Sequence, residues 1–385
     1  MLEHIEHPFA WLNLEALDHN IQFVNEACDG KPVRIATKSV RSVEALRYIH
    51  KHLENCSGYM TFTAAETVYL MEQGLDHFLI GYPVMEEMAV KKLLNYAKVG
   101  RNITFMVDSE QHLQFLHKLA KEVNVRVQVC IDVNVSNSYP MLYFGTKRSP
   151  LTTINKLEAF LRVVPKYSSI EVTGVMGYDA QIAGLGDHIK GAAGKSFLVR
   201  KLKQRSKQSV RSLRQHAVAT VKQHVGPLKL VNGGGSGSIQ YTASQREVTE
   251  ITVGSAFFAP ALFDGYETLD LQPAAGFALR VVRQFSEDTF VLQGGGYIAS
   301  GAVGVDRLPS FVESERFSFL ALEGAGEVQS PIVDKQAALK IGDTVYLRHA
   351  KAGELCERFM ALHCYHGMQY EGPWSTYRGD GQCFL

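Results

Sequence analysis

Leu228-Lys229-Leu230-Val231-Asn232-Gly233-Gly234-Gly235-Ser236-Gly237-Ser238 is the stretch on which the fold turns. A short apolar run gives way at once to glycines and serines. The run has the length and texture of a buried strand. Successive glycines let backbone N–H groups approach an anion without a Cβ in the way, and the serines add hydroxyl donors. The segment lacks the Gly-Lys-Ser/Thr of a P-loop and the GxGxxG of a dinucleotide fold. Read alone, it is equally a phosphate cradle or a flexible turn.

Its place in the chain separates these readings. After about residue 30, apolar runs alternate with amphipathic stretches. The predicted strands are Val33–Lys38, Gly58–Thr63, His77–Val84, Ile103–Ser109, Val125–Val133, Ile170–Tyr178, Leu228–Asn232 and Val248–Gly254. Helical patterns fall between them at Ala64–Gln73, Glu86–Ala97, Gln111–Val123, Ile154–Val164 and Ser196–His224. Eight strands alternating with helices predict an α/β fold, a (β/α)8 TIM-type barrel. The glycine run follows the seventh strand, and Gly254-Ser255-Ala256 follows the eighth. Barrels frequently build phosphate sites from those two loops, whereas an open doubly wound sheet favours the first.

Here the first strand ends in Lys38 instead. A desolvated lysine gives up its proton more easily, and the neutral amine can attack a carbonyl to form a Schiff base. Alone, Lys38 also fits a strand-end lysine reaching solvent. At the mouth that carries the phosphate loops it becomes a nucleophile. An amine nucleophile beside a phosphate site points to pyridoxal phosphate (PLP).

The texture changes past about Leu271. Phe277–Val282, Thr289–Leu292, Phe317–Leu320, Thr344–Arg348 and Phe359–His363 are short runs set between turn residues. Residues 1–270 are therefore expected to form the barrel, and 271–385 a mostly-β domain.

The 385 residues are 46% hydrophobic and 21% charged, with a formal net charge of +1. No whole-protein field favours nucleic acid or a membrane surface. No run approaches the roughly 18 apolar residues of a membrane span. The opening Met1-Leu2-Glu3-His4-Ile5-Glu6-His7 is acidic and polar, unlike a signal peptide. Six scattered cysteines without a CxxC argue against a disulfide scaffold or zinc ribbon. A cytoplasmic protein is expected.

Further stretches carry candidate chemistry. In Gly174-Val175-Met176-Gly177-Tyr178-Asp179-Ala180-Gln181, polar groups emerge where the sixth strand should end. Tyr178 or Gln181 could meet a cofactor or substrate; a turn with a packed tyrosine also fits. Lys195–Arg214 holds eight basic residues and no acidic one. It reads as a barrel helix with a solvated face, or as a surface for an acidic partner. His349, Glu354, His363, Cys364 and His366 are metal-ligand types, but no pair has a recognised spacing.

Together these residues resemble the alanine-racemase-like, fold-type III PLP enzymes. Within that group they look most like the D-threonine aldolase and D-serine dehydratase branch, including bacterial amino acid deaminase/aldolase-type proteins. Five segments carry the resemblance, which runs from about Pro8 to Leu385: Arg34–Ser39, Leu79–Val84, Met176–Asp187, Val231–Gly237 and Thr252–Ser255. It implies that Lys38 forms the internal aldimine. It implies that Gly234, Gly235, Ser236 and Gly237, with Gly254, Ser255 and Ala256, hold the phosphate. Tyr82, Tyr178 and Gln181 would line the cofactor. The family pairs its barrel with a C-terminal β-domain and works as a head-to-tail homodimer, the partner's β-domain closing each site.

The chain departs from that pattern twice. Where the family sets an arginine against the pyridine nitrogen, the matching stretch is Tyr143-Phe144-Gly145, with Arg148 nearby as a substitute. Where the metal-dependent branch carries His-x-Cys or His-x-Asp, this chain has His349-Ala350-Lys351. His349 remains a candidate ligand for a divalent metal. Lys351 would replace the metal's charge at a substrate hydroxyl or carboxylate, and Glu354 is the nearest spare carboxylate. The expected function is a PLP-dependent lyase on a β-hydroxy amino acid, of D configuration, by aldol cleavage or dehydration. Lys38, Tyr178, His349 and Lys351 are the expected catalytic residues. The alternatives are a racemase, with Lys38 and Tyr297 as bases, a non-catalytic PLP carrier, or a barrel that binds a phosphorylated substrate without PLP.

Overall fold

The computed structural model describes residue 2 and residues 4–188, 193–302 and 304–385. Met1 and Glu3 of the acidic opening stretch lie outside the described residues.

Eight parallel strands close into a barrel: Val33–Ala36, Cys56–Thr61, Phe78–Ile80, Ile103–Val107, Val127–Asp132, Ile170–Gly177, Leu230–Gly233 and Glu250–Val253. Closure comes from Glu250–Val253 pairing with Val33–Ala36, in the register Ile251↔Val33 to Val253↔Ile35. Strands buried on both faces read as near-continuous apolar runs. Ile103–Val107, Ile-Thr-Phe-Met-Val, is such a run with Thr104 its one polar residue, and it is buried throughout. The helix that follows, Glu110–Val123, starts where the Ser109 side chain accepts from the His112 N–H. It ends at Asn124 in the left-handed conformation, and buries Leu113, Leu116, Leu119 and Ala120 as one stripe.

The first strand is shorter than its apolar run suggested. It stops at Ala36, and Thr37–Ser39 turns into a 3-10 helix. Lys38 thus stands on a turn above the strand, with backbone groups held by that turn rather than by the ladder.

A second, nine-stranded sheet packs beside the barrel. Its strands include Ala275–Gln284, Thr289–Gln293, Gln329–Asp334, Thr344–Arg348, Ala361–His366 and Gln369–Ser375. It also takes Phe9–Asn13 from ahead of the barrel. That strand lies antiparallel to Ala275–Gln284 and parallel to Ala361–His366. Chain continuity alone therefore does not delimit the two units. Phe277, Leu279, Phe290, Ile332, Leu347 and Leu362 fill the core of this sheet.

The long helix Ala193–Val225 carries the basic stretch. Most of its cations face water, but Lys203 and Arg214 are buried. The helix thus presents a solvated basic face, with those two cations turned inward. Among the described residues no helix is long and apolar enough to cross a membrane.

Candidate active site

Lys38 is braced from outside the barrel. Its carbonyl oxygen accepts from Arg41 Nε at 2.9 Å. Arg41, at φ +52, is tied to Glu357 at 2.7 Å, and its carbonyl accepts from the Tyr377 N–H at 2.9 Å. A Cβ on Gly353 would collide with the Lys38 carbonyl, so the loop after Thr344–Arg348 sits directly on the lysine turn. Thr37 Oγ1 donates to the Met60 carbonyl at 3.0 Å from the barrel side. The backbone is pinned on both sides while the side chain stays free to enter the mouth.

There Lys38 Nζ donates to the Tyr82 hydroxyl at 2.9 Å. The Arg148 guanidinium lies 5.1 Å from the centre of the Tyr82 ring and 5.7 Å from that of Tyr178. Arg148 is aimed by two further bonds, from Nε to Asp132 Oδ2 at 2.7 Å and from Nη2 to the Gly81 carbonyl at 2.9 Å. Lys38, Tyr82, Arg148 and Tyr178 therefore form one cluster, although they leave the barrel after its first, third, fifth and sixth strands. Tyr143 takes no part. Its hydroxyl donates to the Thr146 carbonyl and meets Asn134.

The charges balance differently from the sequence expectation. Burial pulls the Lys38 ammonium down, but the oxygens of Tyr82 and then Tyr178 outweigh it, and the net shift is upward. The expected easy loss of the proton is thus reversed, because two tyrosine hydroxyls face the amine. Burial raises Tyr82, yet Lys38 and Arg148 outweigh burial and leave it below the ordinary phenol. Burial lifts the Asp132 carboxyl to about 6, against the pull of Arg148.

The loops after the seventh and eighth strands meet at the same mouth. The Gly234 N–H, on a residue at φ +84, donates to Asp179 Oδ1 at 3.0 Å. Ser236 Oγ accepts from the Ala256 N–H at 2.8 Å, which ties one loop to the other. Ser255 Oγ lies 3.4 Å from Ser39 Oγ, beside Lys38. A Cβ on Gly254 would stand 2.8 Å from Ala36 Cβ and Ser39 Oγ. One on Gly235 would stand 3.2 Å from the Tyr178 ring, and one on Gly237 would collide with Tyr266 and the Ala183 carbonyl. Glycine is needed here because three loops share a space that side chains would fill.

Gln181 is placed differently from the other predicted cofactor residues. It is buried, and its amide donates to the Val135 carbonyl at 2.8 Å and to Asn137 Oδ1 at 3.1 Å. Its Oε1 has no hydrogen-bond partner among the described residues. It anchors the Asn137–Phe144 hairpin from below the rim.

Two buried residues that sequence reasoning missed hold the glycine loop. Asp179 takes the Gly234 N–H and the Thr242 hydroxyl. Arg214 donates to the Gly177 carbonyl at 2.8 Å and to Gln245 at 2.6 Å, and lies 3.7 Å from Asp179. The helix period carried a signal, because Arg214 falls on one stripe with Val210, Ala217, Val218 and Val221.

His349, Lys351 and Glu354 form a second group around the loop that rests on Lys38. They line a pocket of about 10 Å³, together with Tyr297, Leu355 and Arg358. That is room for roughly one water. Neither His349 ring nitrogen has a hydrogen-bond partner among the described residues. Burial, and then Arg348, hold the imidazole neutral down to about pH 3, and the nearby Ala275 backbone offsets this only in part. Lys351 Nζ donates to Ser300 Oγ at 3.1 Å. Both Glu354 oxygens accept from the Ser300 N–H, at 3.1 and 3.0 Å. Among the described residues no three His, Cys, Asp or Glu side chains are grouped to hold a metal ion. Tyr297 packs edge-on against Phe277 and Phe359.

With fold and mouth defined, the family follows. The alanine racemase N-terminal domain family matches residues 12–260. The chain belongs to this family. Three solved structures share its architecture over nearly the whole length. D-threonine aldolase from Filomicrobium marinum has a TM-score of 0.82 at 15% identity, over 98% of this chain and 96% of that one. D-threo-3-hydroxyaspartate dehydratase from Delftia sp. HT23 has a TM-score of 0.74 at 17% identity, over 97% and 98%. A cysteine-to-alanine mutant of D-threo-3-hydroxyaspartate dehydratase, in the metal-free form, has a TM-score of 0.75 at 17% identity, over 97% and 98%. No curated protein sequence matches the chain.

Proposed function

We propose that this protein is a PLP-dependent lyase acting on a β-hydroxy amino acid of D configuration. One observation carries the reading: Lys38 Nζ shares a single mouth with Tyr82, Arg148, Tyr178 and both glycine-serine loops. The substrate class draws its support from the structures of similar fold, an aldolase and a dehydratase named for D-threonine and D-threo-3-hydroxyaspartate.

The residues present fit PLP. Gly234 to Gly237 and Gly254 to Ala256 would hold the phosphate, in a cradle that a Cβ at Gly235 or Gly254 would obstruct. Arg148, aimed by Asp132, would face the ring, with Tyr82 and Tyr178 beside it. Lys38 would supply the amine that binds the cofactor's carbonyl. When bound, the cofactor withdraws electrons from the substrate's Cα. Lys38 then moves a proton at Cα, within reach of the Tyr82 hydroxyl. The Arg41 and Gly353 contacts keep the lysine backbone from following its side chain.

Two further parts of the proposal concern the setting. Met85, Met88, Met141 and Leu142 are exposed apolar side chains of the kind that a second copy of the chain would cover in a homodimer. Cys28, Cys130, Cys356 and Cys364 are buried free thiols, which suits a reducing cytoplasm.

The test offers the PLP-loaded protein D- and L-3-hydroxy amino acids and measures glycine, aldehyde, keto acid and ammonia. The proposal expects glycine with aldehyde, or keto acid with ammonia, from a D substrate. Inversion of alanine or serine with none of these products would replace the lyase by a racemase, the activity for which the family is named.

A further inference from the structure

A similar structure described in a metal-free form raises the question of a metal in this chain. The donor set beside the lysine turn does not suit one. His349 is buried, and its ring nitrogens have no hydrogen-bond partner among the described residues in a pocket of about 10 Å³. Yet the side chain two residues on is Lys351, whose ammonium has three donors and no lone pair. The nearest carboxylate, Glu354, already takes the Ser300 N–H on both oxygens. The other charged wall is Arg358, whose guanidinium lies 5.9 Å from the centre of the Tyr297 ring. One imidazole, two cations and a carboxylate whose oxygens are both committed to the Ser300 N–H make a pocket for an oxygen that carries or develops negative charge, not for a divalent cation.

We infer that this protein works without a divalent metal and that Lys351 supplies the positive charge at the substrate's β-oxygen. The inference rests on the lyase reading above and extends it to this pocket. Its geometric basis is the seat of the loop: Gly353, two residues after Lys351, lies against the Lys38 carbonyl. On the same loop, Lys351 Nζ donates to Ser300 Oγ at 3.1 Å.

The chemistry needs charge there on either course. In cleavage, the β-hydroxyl loses its proton to solvent and its O–H pair forms the aldehyde C=O. The Cα–Cβ pair passes to Cα, which takes a proton to leave glycine. In elimination, Cα loses its proton and that pair forms Cα=Cβ. The Cβ–O pair leaves with the oxygen, which takes a proton and departs as water. The oxygen carries developing negative charge in both. An ammonium beside it lowers the barrier as an oxyanion-hole donor does.

The test has a readout that needs no turnover. The PLP-loaded full chain is dialysed and its metal content measured, and Zn2+ and Mn2+ are then titrated by calorimetry. Wild type should hold well under one equivalent and bind neither ion at the site. Lys351→Cys, or Lys351→Asp should the first variant be oxidised or unstable, restores a ligand pair with His349 and should gain about one equivalent of Zn2+. In the substrate panel, EDTA should leave wild-type turnover unchanged. Lys351→Met should lower turnover by about 100-fold or more with PLP still bound, the loss typical of one transition-state donor. Stoichiometric metal in wild type, or EDTA loss reversed by Mn2+ or Zn2+, overturns the inference. So does a Lys351→Cys and Lys351→Asp pair that binds no more zinc than wild type, or a Lys351→Met variant with full activity. Because metal binding is read without substrate, failure of the lyase assignment alone leaves the binding result intact and distinguishable.

Discussion

Lys38 Nζ donates to the Tyr82 hydroxyl at 2.9 Å, which brings the amine and the phenol oxygen into one charge-coupled pair. Burial lowers the ammonium, and the Tyr82 and Tyr178 oxygens raise it above its ordinary value. In Tyr82→Phe the largest opposing influence is gone. Apo protein should then capture PLP with a pH midpoint shifted downward, since the neutral amine is the form that attacks. Stopped-flow uptake measured against pH checks this, and an unchanged midpoint contradicts it.

Asp132 aims Arg148 across the mouth at 2.7 Å. Replacing it by Asn leaves a partly buried guanidinium without its counter-charge. Because Arg148 keeps some contact with water, the cost should fall below that of breaking a fully buried pair, at about 1–3 kcal/mol. Asp132→Asn should therefore lower the denaturation midpoint of the apo protein and weaken PLP retention. Equilibrium unfolding and cofactor titration read the two effects separately.

Glycines of the cradle and of the long helix differ in what surrounds them. A Cβ at Gly254 stands 2.8 Å from Ala36 and Ser39, whereas one at Gly194 meets nothing within 4 Å. Gly254→Ala should cost about 1–3 kcal/mol by overpacking and raise the apparent Kd for PLP. Gly194→Ala, within the helix, should be neutral or stabilise by up to about 1 kcal/mol. Equal behaviour of the two variants would remove the packing argument.

Glu66 is fully buried between Tyr377 and the Phe62 N–H, and burial lifts its carboxyl from 4.5 to about 7. The folded state therefore holds a proton that the unfolded chain releases above about pH 4.5. Stability contributed by this group is complete below 4.5, falls as pH rises, and is gone above about 7. The penalty at high pH is about 3 kcal/mol, from some 2.5 pH units at 1.36 kcal/mol each. Glu66→Gln removes the charge and should gain on wild type in thermal stability as pH rises from 5 to 8. A constant difference across that range would show that Glu66 does not titrate there.

The eight barrel strands were legible because strands buried on both faces are written as apolar runs with helical stretches between. The second sheet was less so. Phe9–Asn13 is five residues long, and its antiparallel partners around Ala278 lie at the far end of the chain. Gln329–Asp334 contains Pro331, which argues against a strand, yet it pairs on both sides. At the mouth, Lys38, Tyr82, Tyr178 and the glycine loops were visible as residue types at strand ends. Their supports were not, because each joins residues that only the closed barrel brings together: Asp132 with Arg148, Asp179 with Gly234, and Arg214 with Gly177. Lys38 showed the limit most clearly. Sequence marked it as an unusual amine, but the direction of its shift depends on two tyrosines from other strands.

The most direct test of the central claim is to reduce the PLP-loaded protein with borohydride, digest it, and locate the label by mass spectrometry. A single pyridoxyl phosphate on the peptide containing Lys38, absent in Lys38→Ala together with the visible absorption band and turnover, is the predicted result. A label on another lysine, or a protein that acquires neither label nor band on adding PLP, would contradict the account.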